Sequence, residues 1–121
     1  MRHAKRWVLY SDGSGPVVKR EMEELAAKSK IGQKGITKLQ VKMKNYRDGV
    51  VGAGDVDSLD DGILELRVKI ASNCYRLLFT MEAGGVLLGL VAVYKNQNRL
   101  HPSVKALALT RRQEWTSRPS G

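Results

Sequence analysis

The chain has 121 residues, enough for one domain built on one hydrophobic core. Its 21 Lys/Arg against 12 Asp/Glu give a formal net charge of +9; such a field attracts polyanions and points to RNA, DNA or the ribosome as partner. A single cysteine, Cys74, excludes an intrachain disulfide and a cysteine-based zinc site. The longest apolar run, Val86–Tyr94, is far below the roughly 20 residues of a membrane span. No apolar stretch follows the basic N-terminus, so neither a signal peptide nor a membrane partner is expected, and a cytoplasmic location is.

Residues 4–10 read as a first strand. Ser11 to Pro16 is a loop whose proline suits a helix entrance. From Val17 to about Lys30, Val18, Met22, Leu25 and Ala26 fall at helical spacing. Gly32 and Gly35 are expected to break that pattern, with a second helix from about Thr37 to Arg47. Its apolar stripe is Ile36, Leu39, Met43 and Tyr46; Lys38, Lys42 and Lys44 lie opposite, and Gly49 is the expected stop. Residues 50–62 read as a Gly/Asp-rich connection. Three strands follow, at about 63–70, 73–81 and 86–94, the last two joined by a tight turn at Ala83-Gly84-Gly85. Val86–Val93 is almost continuously apolar, the pattern of a central strand buried on both faces. His101-Pro102-Ser103 opens a closing helix that ends near Trp115, and the tail from Thr116 to Gly121 is expected to fray. The order β-α-α-β-β-β-α predicts a single α+β domain over residues 1–121.

Charge is segregated along this order. Residues 1–48 hold 12 Lys/Arg and 5 Asp/Glu, residues 49–66 hold 5 acids and no base, and residues 67–121 hold 9 bases and 2 acids. The acidic stretch Asp55, Asp57, Asp60, Asp61 does not have the spacing of a calcium loop, and Glu65 falls too early to close one. No metal or cofactor is expected.

Successive side chains of a strand point to opposite faces. Leu64, Leu66, Val68 and Ile70 therefore share one face, and Glu65, Arg67 and Lys69 the other. A hairpin around Ala71–Ser72 pairs Val68 with Tyr75, Leu66 with Leu77 and Leu64 with Phe79. The same register sets Arg67 directly opposite Arg76, an unfavourable like-charge pair. A phosphate is one anion that would relieve it; Glu65, on the same face, is another, through either arginine.

That order, with Gly62-Ile-Leu-Glu-Leu-Arg67, then Asn73-Cys-Tyr-Arg76, then an apolar strand ending in Tyr94-Lys95, resembles the RelE/HigB toxin superfamily, most closely its phage-derived HigB-like branch. The resemblance spans roughly residues 5–112. It implies a small twisted antiparallel sheet with two N-terminal helices packed on one face, and a C-terminal helix. It also implies the toxin of a type II toxin–antitoxin system: a metal-independent mRNA interferase acting in the ribosomal A site, in contact with rRNA and neutralised by an antitoxin, often of helix-turn-helix type. Arg67 and Arg76 match the family's hairpin arginines, and Lys95 its basic residue at the end of the last core strand. The family commonly has a second basic residue where this chain has Asn96, and Arg99 is the nearest substitute.

Metal-free cleavage of RNA requires a base for the 2′-hydroxyl, an acid for the 5′-oxygen, and cations at the phosphorane. Arginine suits the last role, because its planar fork grips phosphate oxygens and stays charged. The expected catalytic set is Arg76 with Arg67 on phosphate, Lys95 in proton transfer, and His101 as a second proton-transfer candidate. Lys38, Lys42, Lys44, Lys69, Arg99 and Tyr94 are expected RNA contacts, the tyrosine by stacking. Tyr75 faces the core in this register. The alternative is a non-catalytic phage protein of the same fold that binds RNA, the ribosome or a host protein.

Overall fold

A computed structural model describes residues 4–50, 56–95 and 100–119. The elements are β1 (Arg6–Leu9), α1 (Val17–Ala27), α2 (Lys30–Arg47), β2 (Val56–Ser58), β3 (Leu64–Ile70), β4 (Asn73–Glu82), β5 (Val86–Lys95) and α3 (Pro102–Thr116). The five strands form one sheet in the order β1-β5-β4-β3-β2, and the fold is α+β. Strands β3 to β5 pair antiparallel, as the sequence pattern predicts, and β2, in the stretch expected to be a connection, adds antiparallel to β3. β1 enters beside β5 in parallel, so the sheet is mixed. Among the described residues no helix is long and apolar enough to cross a membrane.

The apolar stripes decide the layers. Val18 and Met22 of α1 and Ile36, Leu39 and Met43 of α2 pack on the sheet face formed by Leu66, Val68, Tyr75, Leu77 and Phe79. α3 covers the other face, with Ala108, Val104 and Leu109 against Leu78, Leu88, Leu90 and Val91. A bulge makes the second core possible. Leu78 pairs with Val91 but Phe79 pairs with Gly89, leaving Leu90 as the extra residue. An inserted residue breaks the period-2 alternation, so Leu88, Leu90 and Val91 all reach the α3 layer. Leu87 and Ala92 lie in the first core, so both faces of β5 are buried and Val86–Val93 reads as an unbroken apolar run.

The boundary between α1 and α2 lies at Lys28–Ser29, before the two glycines expected to break the helix. Ser29 caps α2, accepting from the Gly32 N–H at 2.9 Å. Both glycines sit inside the helix because neighbours come too close for a side chain. A Cβ on Gly32 would lie 2.2 Å from the Leu25 carbonyl oxygen, and one on Gly35 2.3 Å from the Tyr75 ring. Gly35→Ala is expected to destabilise the fold by up to about 2 kcal/mol: overpacking costs roughly 1–3 kcal/mol, and the helix propensity of alanine returns about 1 kcal/mol. The check is a lowered urea midpoint at unchanged m-value. Gly49 ends α2 at φ 77°, where a side chain is disfavoured.

β1 is short, and its pairing with β5 ends where the Tyr10 N–H donates to the Gly89 carbonyl at 2.8 Å. The Leu90 carbonyl accepts from Arg111 Nη1 of α3 at 2.8 Å, and the Ala92 N–H donates to Glu21 Oε1 of α1 at 3.1 Å. Arg111 and Glu21 pair at 2.8 Å. Two helices thus clip the strand edge with side chains, which removes a template for edge-to-edge association.

The segment after Trp115, expected to fray, is tied down as far as Arg118, which bonds Glu114 and the Ser11 carbonyl. The Arg118 guanidinium and the Tyr10 hydroxyl hold the Glu114 carboxyl down to about 2. A carboxylate whose value is depressed on folding contributes stability above its unfolded value, near 4.3, and loses it as pH falls through the folded one. The end of α3 should therefore stay docked at pH 4.5 and loosen towards pH 2. An NMR titration of the Glu114 carboxyl should find its midpoint near 2, and Glu114→Gln should abolish this acid-dependent step.

Candidate active site

The β3–β4 hairpin has the register its alternation predicts, with Arg67 opposite Arg76, Val68 opposite Tyr75, Leu66 opposite Leu77 and Leu64 opposite Phe79. Three rows of residues cross the α3 side of the sheet. Asp57, Glu65, Leu78 and Val91 form the first; Arg67, Arg76 and Val93 the second; Lys69, Cys74 and Lys95 the third.

The like charges of the middle row are answered from within the protein. Glu65 is 2% exposed and Arg76 3%. Arg76 Nη1 donates to Glu65 Oε2 at 3.1 Å, while Arg67 Nε lies 3.5 Å from Glu65 Oε1. Arg67 Nη2 also meets Asp57 Oδ2 at 2.5 Å. Two guanidinium groups and two carboxylates therefore form one neutral network, and no external anion is needed to hold the arginines together. Burial divides this network. The Glu65–Arg76 half is closed off from solvent, whereas the side chains of Arg67 and Asp57 are 38% and 40% exposed. Arg67 is the arginine that a ligand reaches first, with Arg76 behind it.

Among the described residues the third row carries charge without this compensation from the strands. Lys69 is exposed and Lys95 half-buried. Two strand spacings separate them, about 10 Å, and the thiol between them, Cys74, is buried. Arg67, Lys69 and Lys95 thus face outward around one end of the sheet.

The remaining candidates are dispersed. His101 caps α3, its Nδ1 accepting from the Ser103 N–H at 3.1 Å and lying 2.7 Å from Ser103 Oγ. It lines a cavity of about 400 Å³ with Ser58, Leu59, Asp60 and Lys105. That is the Leu64 end of β3, about 17 Å along the strand from the lysine row. The structure thus gives His101 a capping role and does not bring it to Lys95. Tyr94 lies on the opposite sheet face from Arg76 and Lys95, its ring 5.1 Å from that of Tyr75 and its hydroxyl bonded to the Asn73 side chain. The α2 lysines share Tyr94's face. Lys42 Nζ donates to the Arg67 carbonyl at 2.8 Å. Lys38 lines a cavity of about 400 Å³ with Lys34, Thr37 and Ile70, and Lys44 is exposed. Asn96 and Arg99 lie outside the described residues.

Asp57 is the residue of this network that the sequence pattern does not reveal. It sits in β2, three residues long, within a stretch that reads as acidic connection. One alternation is too short to register as a strand.

The chain that carries this hairpin and Lys95 matches a known family. Residues 23–113 match the model described as phage derived protein Gp49-like. The chain belongs to this Gp49-like family, which is of RelE/HigB toxin type. The match takes in α2, the whole arginine hairpin, β5 and most of α3. Outside the family model, the chain is 33% identical over 100 residues to proteins named "Probable endoribonuclease HigB1" from two strains of Mycobacterium tuberculosis, covering 83% of this chain and 74% of each relative.

Proposed function

We propose that this protein is the toxin of a type II toxin–antitoxin system and an endoribonuclease that cleaves mRNA on the ribosome. The observation that carries this reading is the outward-facing cation set Arg67, Lys69 and Lys95 on a Gp49-like chain, in a protein similar to one named as an endoribonuclease. Arg67 anchors the scissile phosphate, and Arg76, held by Glu65, sets the position of Arg67's neighbourhood and adds positive potential behind it. Lys95 moves the proton at the reacting oxygens. The 2′-hydroxyl attacks the phosphorus, the bond to the 5′-oxygen breaks, and the products are a 2′,3′-cyclic phosphate and a 5′-hydroxyl end. No metal takes part. Lys38, Lys42, Lys44 and Lys69 hold the RNA or rRNA backbone, and an antitoxin, of helix-turn-helix type, neutralises the protein.

Induced expression should arrest growth, and Arg67→Ala and Lys95→Ala should each relieve the arrest while the protein remains folded. Arrest undiminished in both variants overturns the site. The second reading, a non-catalytic RNA or ribosome binder on the same fold, is favoured by the internal neutralisation of both arginines by Asp57 and Glu65. It predicts arrest or binding with intact message.

A further inference from the structure

We propose that the Asp57 carboxylate occupies the place of a substrate phosphate on Arg67, so that RNA binds by displacing it and Asp57 sets the affinity of the site. The inference rests on the reading of Arg67 as the phosphate anchor and adds to it the residue that competes for that anchor.

The two halves of the charge network differ in what they can release. Glu65 and Arg76, at 2% and 3% exposure, are fixed by burial. Arg67 and Asp57, at 38% and 40%, meet at the surface, where an ion pair contributes little and exchanges readily with another anion. Arg67 uses Nε towards Glu65 and Nη2 towards Asp57. Glu65 thereby keeps the guanidinium oriented while the Nη2 side stays open to replacement. A carboxylate and the non-bridging oxygens of a phosphodiester are alternative acceptors for that edge of the fork. Asp57 is also able to give way: β2 is a three-residue edge strand that pairs only with β3. Lys69 and Lys95 supply the excess positive charge beside it that favours the polyanion over a single carboxylate.

The test is binding of a short, fluorescently labelled, single-stranded 2′-O-methyl RNA, which resists 2′-hydroxyl attack, measured by anisotropy over a range of salt. Asp57→Asn should bind about fourfold tighter at low salt, the order of the gain when RNA no longer has to displace a surface ion pair from Arg67. Its log–log salt slope should steepen by up to about 0.7, one further phosphate fully neutralised. Asp57→Ser, which shortens the side chain, should show the same gain. A matched control is available in Asp48, whose pair with Arg47 at 3.0 Å has similar exposure, 43% and 41%; Asp48→Asn should change affinity less than about twofold, because a distant charge is screened. In an Arg67→Ala background the gain from Asp57→Asn should disappear. Unchanged affinity in both Asp57 variants, or an equal gain with and without Arg67, overturns the inference while leaving Arg67 as anchor. If Arg67→Ala alone binds RNA as the parent protein does, the anchor reading falls, and this inference with it.

Discussion

Glu65→Ala is expected to remove about 3–5 kcal/mol of stability, the usual loss when one partner of a buried ion pair is deleted. Glu65 is 2% exposed and bridges Arg67 and Arg76, so the substitution leaves two guanidinium groups facing each other across strands and no carboxylate between them. For a domain stabilised by about 5–15 kcal/mol in total, this is a large fraction, and the melting temperature should fall by about 12–20 °C. The paired change Glu65→Leu with Arg76→Met should recover most of the loss, because apolar residues of similar volume replace a buried ion pair at little net cost. Thermal and urea unfolding of Glu65→Ala and of the double variant decide the matter. A Glu65→Ala protein within about 1 kcal/mol of the parent would contradict the bridging role.

The second large effect is on activity. Arg67→Ala and Lys95→Ala should each lower the rate of message cleavage by about 10²–10³-fold, the range seen when one preorganised donor to a developing charge is removed. Both residues are at least partly exposed, so their variants should unfold near the parent midpoint, within about 0.5–1 kcal/mol. Arg76→Ala is a poorer test. Arg76 is buried, and loss of activity there mixes lost chemistry with lost stability. Arg67→Lys should restore the charge but not the fork, and is expected to recover only part of the rate.

The hairpin was legible because its information is local. Period-2 alternation in Leu64–Ile70 and Asn73–Met81, with a short turn between them, permits one register that buries the apolar set, and that register places Arg67 opposite Arg76. The continuous apolar run of β5 likewise announced a central strand, although the bulge at Leu90 is visible only in the pairing. What eluded the sequence depends on distant partners. Gly32 and Gly35 look like helix breakers until Leu25 and Tyr75 are seen against them. The parallel pairing of β1 with β5 joins segments about 80 positions apart, and nothing in four residues specifies it. The Glu21–Arg111 clip spans 90 positions.

The same division runs through the site. The cations Arg67, Arg76 and Lys95 stand out by type and place, and alternation offers Glu65 as a partner for either arginine, whereas Asp57 lies in β2, which is too short for periodicity. The sequence therefore leaves an outside anion and Glu65 as alternatives, and the fold shows Glu65 already there, with Asp57 beside it. His101 illustrates the converse. A lone imidazole before Pro102 resembles a proton-transfer group, yet the turn that starts α3 engages its Nδ1 as a cap.

The central claim is that this sheet end cleaves RNA with side chains alone. It is tested most directly by primer extension on a translated message after induction, with the chemistry of the new ends determined. Discrete cuts within the translated region that leave 5′-hydroxyl and 2′,3′-cyclic phosphate ends are expected with the parent protein and should be lost with Arg67→Ala and with Lys95→Ala. Intact message in arrested cells, or the same cuts from both variants, would contradict it.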